Sequence, residues 1–295
     1  MRFLRSRRRL SLVAVLAATS LLAACGDDAS APAGGSEEGG AAEQGPALEH
    51  IHGLGVNPAD GRLFIATHNG LFAAARAQTR PEQVGDTEQD IMGFSVVGSD
   101  RFIGSGHPSP DQDLPGNLGL IESRDAGKTW KNVSLLGEAD FHVLQHSGDR
   151  IYGFDGTQGR LMVSGDTGRS WQQRKPPAGV FGLAVDPSDS SRVVASTEDG
   201  LFVSISEGRR WRALRDDGGG LLAWPAGERL YLVDGQGRVL LSSDAGANWQ
   251  TQGGIGGQPS AFIAHEDELY AALADGTVKR STNRGASWTV WTTAS

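Results

Sequence analysis

With 295 residues the chain has room for one large domain or two ordinary ones, and its 42 glycines against three methionines and one cysteine favour many tight turns over long helices. Residues 1–24 hold Arg2, Arg5, Arg7, Arg8 and Arg9 and no acid, so removing those five charges from the net −8 leaves −13 on the rest. A body of that charge repels nucleic acid and anionic lipid headgroups, and neither is expected as a partner.

The N-terminus has the three parts of an export signal: the arginine-rich stretch, an apolar run from Leu12 to Leu22 interrupted by Thr19 and Ser20, and small residues. The run is too short to span a bilayer comfortably. Its end, Leu22-Ala23-Ala24-Cys25-Gly26, resembles the bacterial lipobox, which implies removal of residues 1–24 and lipidation of Cys25 as the first mature residue. Ser6-Arg7-Arg8-Arg9-Leu10 also resembles a twin-arginine export signal, which implies folding before translocation. Cys25 is the only cysteine, so stability has to come from packing rather than from an intrachain disulfide. Residues 25–46, rich in Gly, Ala, Ser, Glu, Asp and Pro, lack apolar periodicity and read as a flexible acidic linker. The mature protein is expected at the outer face of the cell membrane, touching the bilayer through its anchor alone. One acyl chain holds weakly, so firm anchoring calls for several.

Downstream, one pattern occurs five times. It runs Ser123-x-Asp125-x-Gly127-x-x-Trp130, Ser164-x-Asp166-x-Gly168-x-x-Trp171, Ser204-x-Ser206-x-Gly208-x-x-Trp211, Ser242-x-Asp244-x-Gly246-x-x-Trp249 and Ser281-x-Asn283-x-Gly285-x-x-Trp288. The Trp-to-Trp spacings are 41, 40, 38 and 39. The chemistry is that of a hairpin turn, with Ser and Asp oxygens accepting from backbone N–H groups, Gly supplying positive φ and Trp anchoring the turn on apolar neighbours. Ser206 and Asn283 replace the acid in two copies, so these acids read as structural.

The pattern resembles the Asp-box, or BNR repeat, of sialidase-like propellers. Upstream of each copy lie an apolar strand, a polar turn, a second strand, a Gly-containing turn and a third strand, as in Val180 to Val185, Asp186 to Asp189, Val193 to Ser196 and Leu201 to Ser204. Run backwards, the frame finds a first copy with no Asp-box: Leu54 to Val56, Leu63 to Ala66 and Leu71 to Ala73. The expected fold over 47–295 is all-β, a six-bladed β-propeller with blades beginning near residues 50, 90, 140, 179, 219 and 258. Both ends finish on blade boundaries, which leaves the closure of the ring open; the segment before His50 adding to the last blade is one route.

In propellers the start of each inner strand and the turn between strands two and three lie on one face, around the central channel, and Asp-boxes lie on the other. By this rule His50 and His52 (first inner strand), His142 (third), and His68 and His107 (second-to-third turns of blades 1 and 2) share one rim of three adjacent blades. His146 and His265 fall on the opposite face as surface residues. The corresponding positions are His50/His52, Asp90/Met92, Asp140/His142 and Gly179/Phe181, and i, i+2 spacing points both members of a pair to one side of the strand. Asp155 adds a carboxylate, and the enlarged turn from His107 to Gly116, carrying Asp111 and Asp113, is long enough to fold over the site as a lid.

Clustered imidazoles and carboxylates suit a divalent transition metal, with His50, His52 and His142 as candidate ligands and Met92 as an unusual copper ligand. The alternative is a hydrated polar channel mouth with no ion. The chain also resembles exported bacterial BNR-repeat proteins of the kind described as glycosyl hydrolases, which implies action on extracellular glycans. Sialidases carry an arginine triad, a Tyr nucleophile paired with Glu, and an Arg-Ile-Pro motif; no Arg-Ile-Pro occurs here, and Tyr152, Tyr231 and Tyr270 occupy one repeated second-strand position, as core residues would. A different glycosidase would draw its two carboxylates from Asp90, Asp111, Asp113, Asp140 and Asp155, with Asp90, Asp140 and Asp155 the leading candidates. The competing class is a monomeric, non-enzymatic propeller that binds a protein or glycan ligand through the rim, through His50, His52, His68, His107, Asp111, Asp113 and His142.

Overall fold

The computed structural model of the chain describes residues 48, 50–76, 78, 80–86 and 88–293. The predicted signal peptide, Cys25 and the linker lie outside the described residues.

Among the described residues, twenty-four strands form six four-stranded antiparallel sheets, each made from four strands consecutive in the chain. The inner strands are Ile51–Val56, Asp90–Gly98, Phe141–Ser147, Val180–Val185, Gly220–Ala226 and Pro259–His265, so each blade begins within a residue or so of its expected start. The first blade, which lacks the Ser-x-Asp-x-Gly-x-x-Trp pattern, has the same four strands, ending in Glu82–Val84.

The strand pattern follows from blades stacking face to face. A second strand is covered on both sides, and Leu63–Thr67 and Val193–Thr197 are accordingly buried along their whole length. Outer strands face solvent and are polar, as in Gln172–Arg174. Each core cluster lies between two blades. Phe64 and Leu71 of blade 1, for example, meet Ile91, Phe94 and Phe102 of blade 2.

The five Ser-x-x-x-Gly turns fasten these interfaces. The Ser hydroxyl accepts from the Gly amide at 2.7–2.9 Å in every copy. The third-position oxygen accepts from the amide four residues on: Asp125 from Thr129, Asp166 from Ser170, Ser206 from Arg210, Asp244 from Asn248 and Asn283 from Ser287. The hydroxyl of Ser206 thus replaces the acid at 3.2 Å. Positive φ is shared by two residues rather than by Gly alone, with Thr167 at 58° and Gly168 at 84°. A Cβ on Gly168 would lie 2.0 Å from Leu120 Cδ2 of the preceding blade, so the glycine also permits close approach between blades. Trp171 donates its indole N–H to the Gly168 carbonyl at 3.0 Å and to Ser134 Oγ of blade 2 at 2.9 Å.

Among the described residues the ring closes by side-chain packing. Blade 6 is complete with its own four strands. Leu48, ahead of the first strand, is buried in a cluster that joins Ile51, Leu54 and Phe72 of blade 1 to Tyr270, Ala272 and Val278 of blade 6. Glu268 of blade 6 ties Arg76 of blade 1 at 2.8 Å and also binds Arg280 and the Tyr270 hydroxyl.

Candidate functional site

At the channel mouth five of the six inner strands break register with their second strands. In each, one residue is left without a partner: His52, Met92, His142, Phe181 and Ser260. A β-bulge bends the strand and re-aims the extra side chain. These five residues, with Leu221 of blade 5, line a cavity of about 240 Å³ to which all six inner strands contribute. The direction of His52 and Met92 is therefore set by the bulge, which interrupts the strict alternation assumed from i, i+2 spacing. Gly93, next to the bulge in blade 2, lets the second and third inner strands approach, since a Cβ there would sit 2.3 Å from the Phe141 carbonyl oxygen.

The mouth has two halves. Blades 1–3 present His52, Met92 and His142, whereas blades 4 and 5 present Leu221 and Phe181, the latter 53% exposed.

Two buried carboxylates organise the polar half by a shared scheme. Asp90, at the start of blade 2, faces two imidazoles of blade 1: His68 Nδ1 lies 2.9 Å from Oδ2 and His52 Nε2 3.6 Å from Oδ1. Asp140, at the start of blade 3, faces His107 of blade 2 and His142 of its own blade, whose Nε2 atoms lie 3.6 and 2.8 Å from Oδ2. His68 and His107 hold the same second-to-third turn position in successive blades. Each carboxylate thus spans a blade interface. Asp140 also accepts from the Thr157 hydroxyl at 3.4 Å, a partner the sequence did not single out.

The two clusters differ in electrostatics. Burial pushes the His52 imidazole below its ordinary value and the neighbouring His68, His50 and His142 add to this, outweighing the attraction of Asp90. His142 is raised, first by its bond to Asp140 and then by that carboxylate's charge, against the effect of burial. Burial acts to raise the Asp140 carboxyl, but the His142 bond and the charges of His142 and His107 leave it below the usual carboxylate range. The charged form is therefore disfavoured at His52 in blade 1 and favoured at His142 in blade 3.

The predicted metal set does not come together. His52, His68 and Asp90 have donor atoms within 4.8 Å of one another and form the group, among the described residues, that could hold an ion. His142 is bonded to Asp140, and His50 is exposed at the left-handed φ of 48°, its ring 6.1 Å from that of His68.

Asp155 is fully buried and spent on its own hairpin, accepting from the Gln158 amide at 3.1 Å and Arg160 Nε at 2.9 Å. Asp234 and Arg238 repeat the device in blade 5, with Arg238 Nε at 2.6 Å. The enlarged turn is tied to the rim by His107 Nδ1, 2.7 Å from the Gly116 carbonyl. Its Gln112 and Leu114 line a separate cavity with Trp130 and Leu136, and Asp111 and Asp113 face solvent. The turn therefore covers the flank of blade 2 and is not a lid on the channel. His146 is half-buried rather than fully exposed: its Nε2 lies 2.9 Å from the Val96 carbonyl of blade 2, and burial holds its imidazole below the ordinary value.

Fold and mouth together define a class, a six-bladed β-propeller with histidine–aspartate clusters on one half of its channel. No protein-family model matches the chain, and no curated protein matches it in sequence. Solved structures share the architecture. An ancestral GH74 enzyme is 14% identical with a TM-score of 0.55; the match covers 83% of this chain, which spans only 38% of that enzyme. YCF48 bound to D1 peptide is 16% identical over 84% of this chain and 82% of its own, with a TM-score of 0.52. A chain of the nidogen/laminin complex is 14% identical over 74% of this chain and 88% of its own, with a TM-score of 0.60. At these identities the likeness is one of fold.

Proposed function

We propose that the chain is an exported lipoprotein, anchored through Cys25 at the outer face of the cell membrane, whose Asp-box propeller binds a protein or peptide ligand at the channel mouth, with blades 1–3 supplying its polar half. The single observation that carries this reading is the mouth itself, with paired His–Asp clusters on one half and the exposed Phe181 with Leu221 on the other. A peptide segment offers both the polar groups and the apolar side chain such a mouth accommodates. Propellers of similar fold occur with a D1 peptide in YCF48 and in the nidogen/laminin complex, which supports a binding role.

A glycosidase needs one carboxyl with a raised pKa as acid and another that stays ionised. Asp155 is consumed by Arg160, and Asp140 is held below the ordinary range. The GH74 enzymes share only the fold with this chain.

The test is affinity capture from solubilised membranes of the source cell, comparing the wild-type chain with Phe181→Ser and His142→Ala. A stoichiometric protein partner lost in both variants is expected. Turnover of a glycan by the wild type, or capture unaffected by either substitution, overturns the reading.

A further inference from the structure

We infer that His52 Nε2, His68 Nδ1 and the Asp90 carboxylate hold one divalent transition-metal ion, with its remaining coordination positions open toward the channel.

Two observations converge on this site. The first is geometry. Three donors from two blades lie within 4.8 Å of one another, with His52 and Asp90 3.6 Å apart and His68 and Asp90 2.9 Å apart. Metal–donor bonds of about 2.0–2.1 Å at tetrahedral angles place donors roughly 3.4 Å apart. The set therefore closes on an ion with small side-chain movements.

The second is an unmet polar demand. His52 Nε2 and Asp90 Oδ1 are buried and neither has a hydrogen-bond partner, while Asp90 as a whole is only 8% exposed. Native interiors rarely leave such atoms unsatisfied, because each costs on the order of 1–3 kcal/mol. At 3.6 Å the two atoms are too far apart to satisfy each other. An ion between them satisfies both.

The donor set selects the class of ion. Two imidazoles and one carboxylate suit zinc, copper or nickel, whereas calcium and magnesium take oxygen ligands. His52 Nε2 is buried and has no hydrogen-bond partner, so it is available as a ligand atom. Three protein ligands leave a position for a further donor, and His52 faces the cavity. The bound partner's own carboxylate, imidazole or thioether is the natural occupant. Only this last step rests on the binding role proposed above; the ligand set stands on geometry, and metal content is read without any partner, so either reading can fail alone.

The test is metal analysis and calorimetric titration with Zn²⁺, Cu²⁺ and Ca²⁺ of the full chain prepared without a His-tag. We expect one Zn²⁺ or Cu²⁺ per chain and no stoichiometric Ca²⁺. Affinity should fall at least about tenfold, the loss that even an outer-shell partner causes, in His68→Ala and Asp90→Asn. His107→Ala, at the matching position of the next blade, should leave it unchanged. His68 is exposed in a turn, so its substitution keeps the test valid if Asp90→Asn fails to fold. No stoichiometric transition metal, equal affinity in His68→Ala, or a loss confined to His107→Ala overturns the assignment.

Discussion

His52 and His142 occupy the same bulge position on blades 1 and 3, yet their environments push them in opposite directions. Burial dominates at His52 and the bond to Asp140 at His142, and the carboxylate each meets accounts for part of the contrast. Asp140 makes a close bond to His142, whereas Asp90 gives its close contact to His68 and leaves His52 at 3.6 Å. Because the folded-state pKa of His142 is raised above 6.5, its pairing contributes stability that is fully present below that value and is lost as pH rises through the folded pKa. An NMR titration should therefore show His142 above 6.5, falling toward or below it in Asp140→Asn, and the stability gap between the two proteins should narrow from pH 6 to pH 9. A gap that is constant across this window would sink the assignment. The rim histidines were legible in the sequence because the repeat frame places residues by blade position. Their pairing was not, since His68 reaches Asp90 and His107 reaches Asp140 across a blade boundary.

At the scale of the element, the Ser-x-Asp-x-Gly-x-x-Trp turn was readable from spacing alone because its hydrogen bonds are local. Ser164 and Asp166 serve amides within four residues of themselves, and hydroxyl or amide oxygens serve as well in Ser206 and Asn283. Its second task was hidden. Gly168 abuts Leu120 of the previous blade, a residue 48 positions earlier in the numbering, at a distance no side chain fits. Gly168→Ala adds the cost of a left-handed backbone to that of overpacking an interface, about 2–5 kcal/mol together. Denaturant melts should show that loss, with a smaller one for Gly148→Ala, where positive φ is not accompanied by any neighbour. Equal effects would mean that blade contact contributes nothing. The bulges that aim His52, Met92 and His142 have no such local signature, because a bulge is a relation between two strands.

For the whole molecule, closure of the ring concentrates on the junction of blades 6 and 1. Burial acts to raise the Glu268 carboxyl, but the bonds from Arg280 and Tyr270 and the nearby Arg76 bring it down to about 2. A depressed carboxylate contributes stability above its unfolded value near 4.5 and loses it as pH falls toward 2. The wild type should lose thermal stability over that window, and Glu268→Gln should start lower and lose less; identical slopes would remove this junction from the account of acid unfolding. The sequence by itself determined the blade count, the strand order and which face collects the histidines, since all three follow from a repeat of about forty residues whose turns are encoded locally. Only the tertiary structure decided how the ring closes, which imidazole meets which carboxylate, that Asp155 serves its own hairpin, and that His52, His68 and Asp90 converge. Those relations join separate blades or separate strands, and the geometry between them is fixed by packing across the interface rather than by any spacing along the chain.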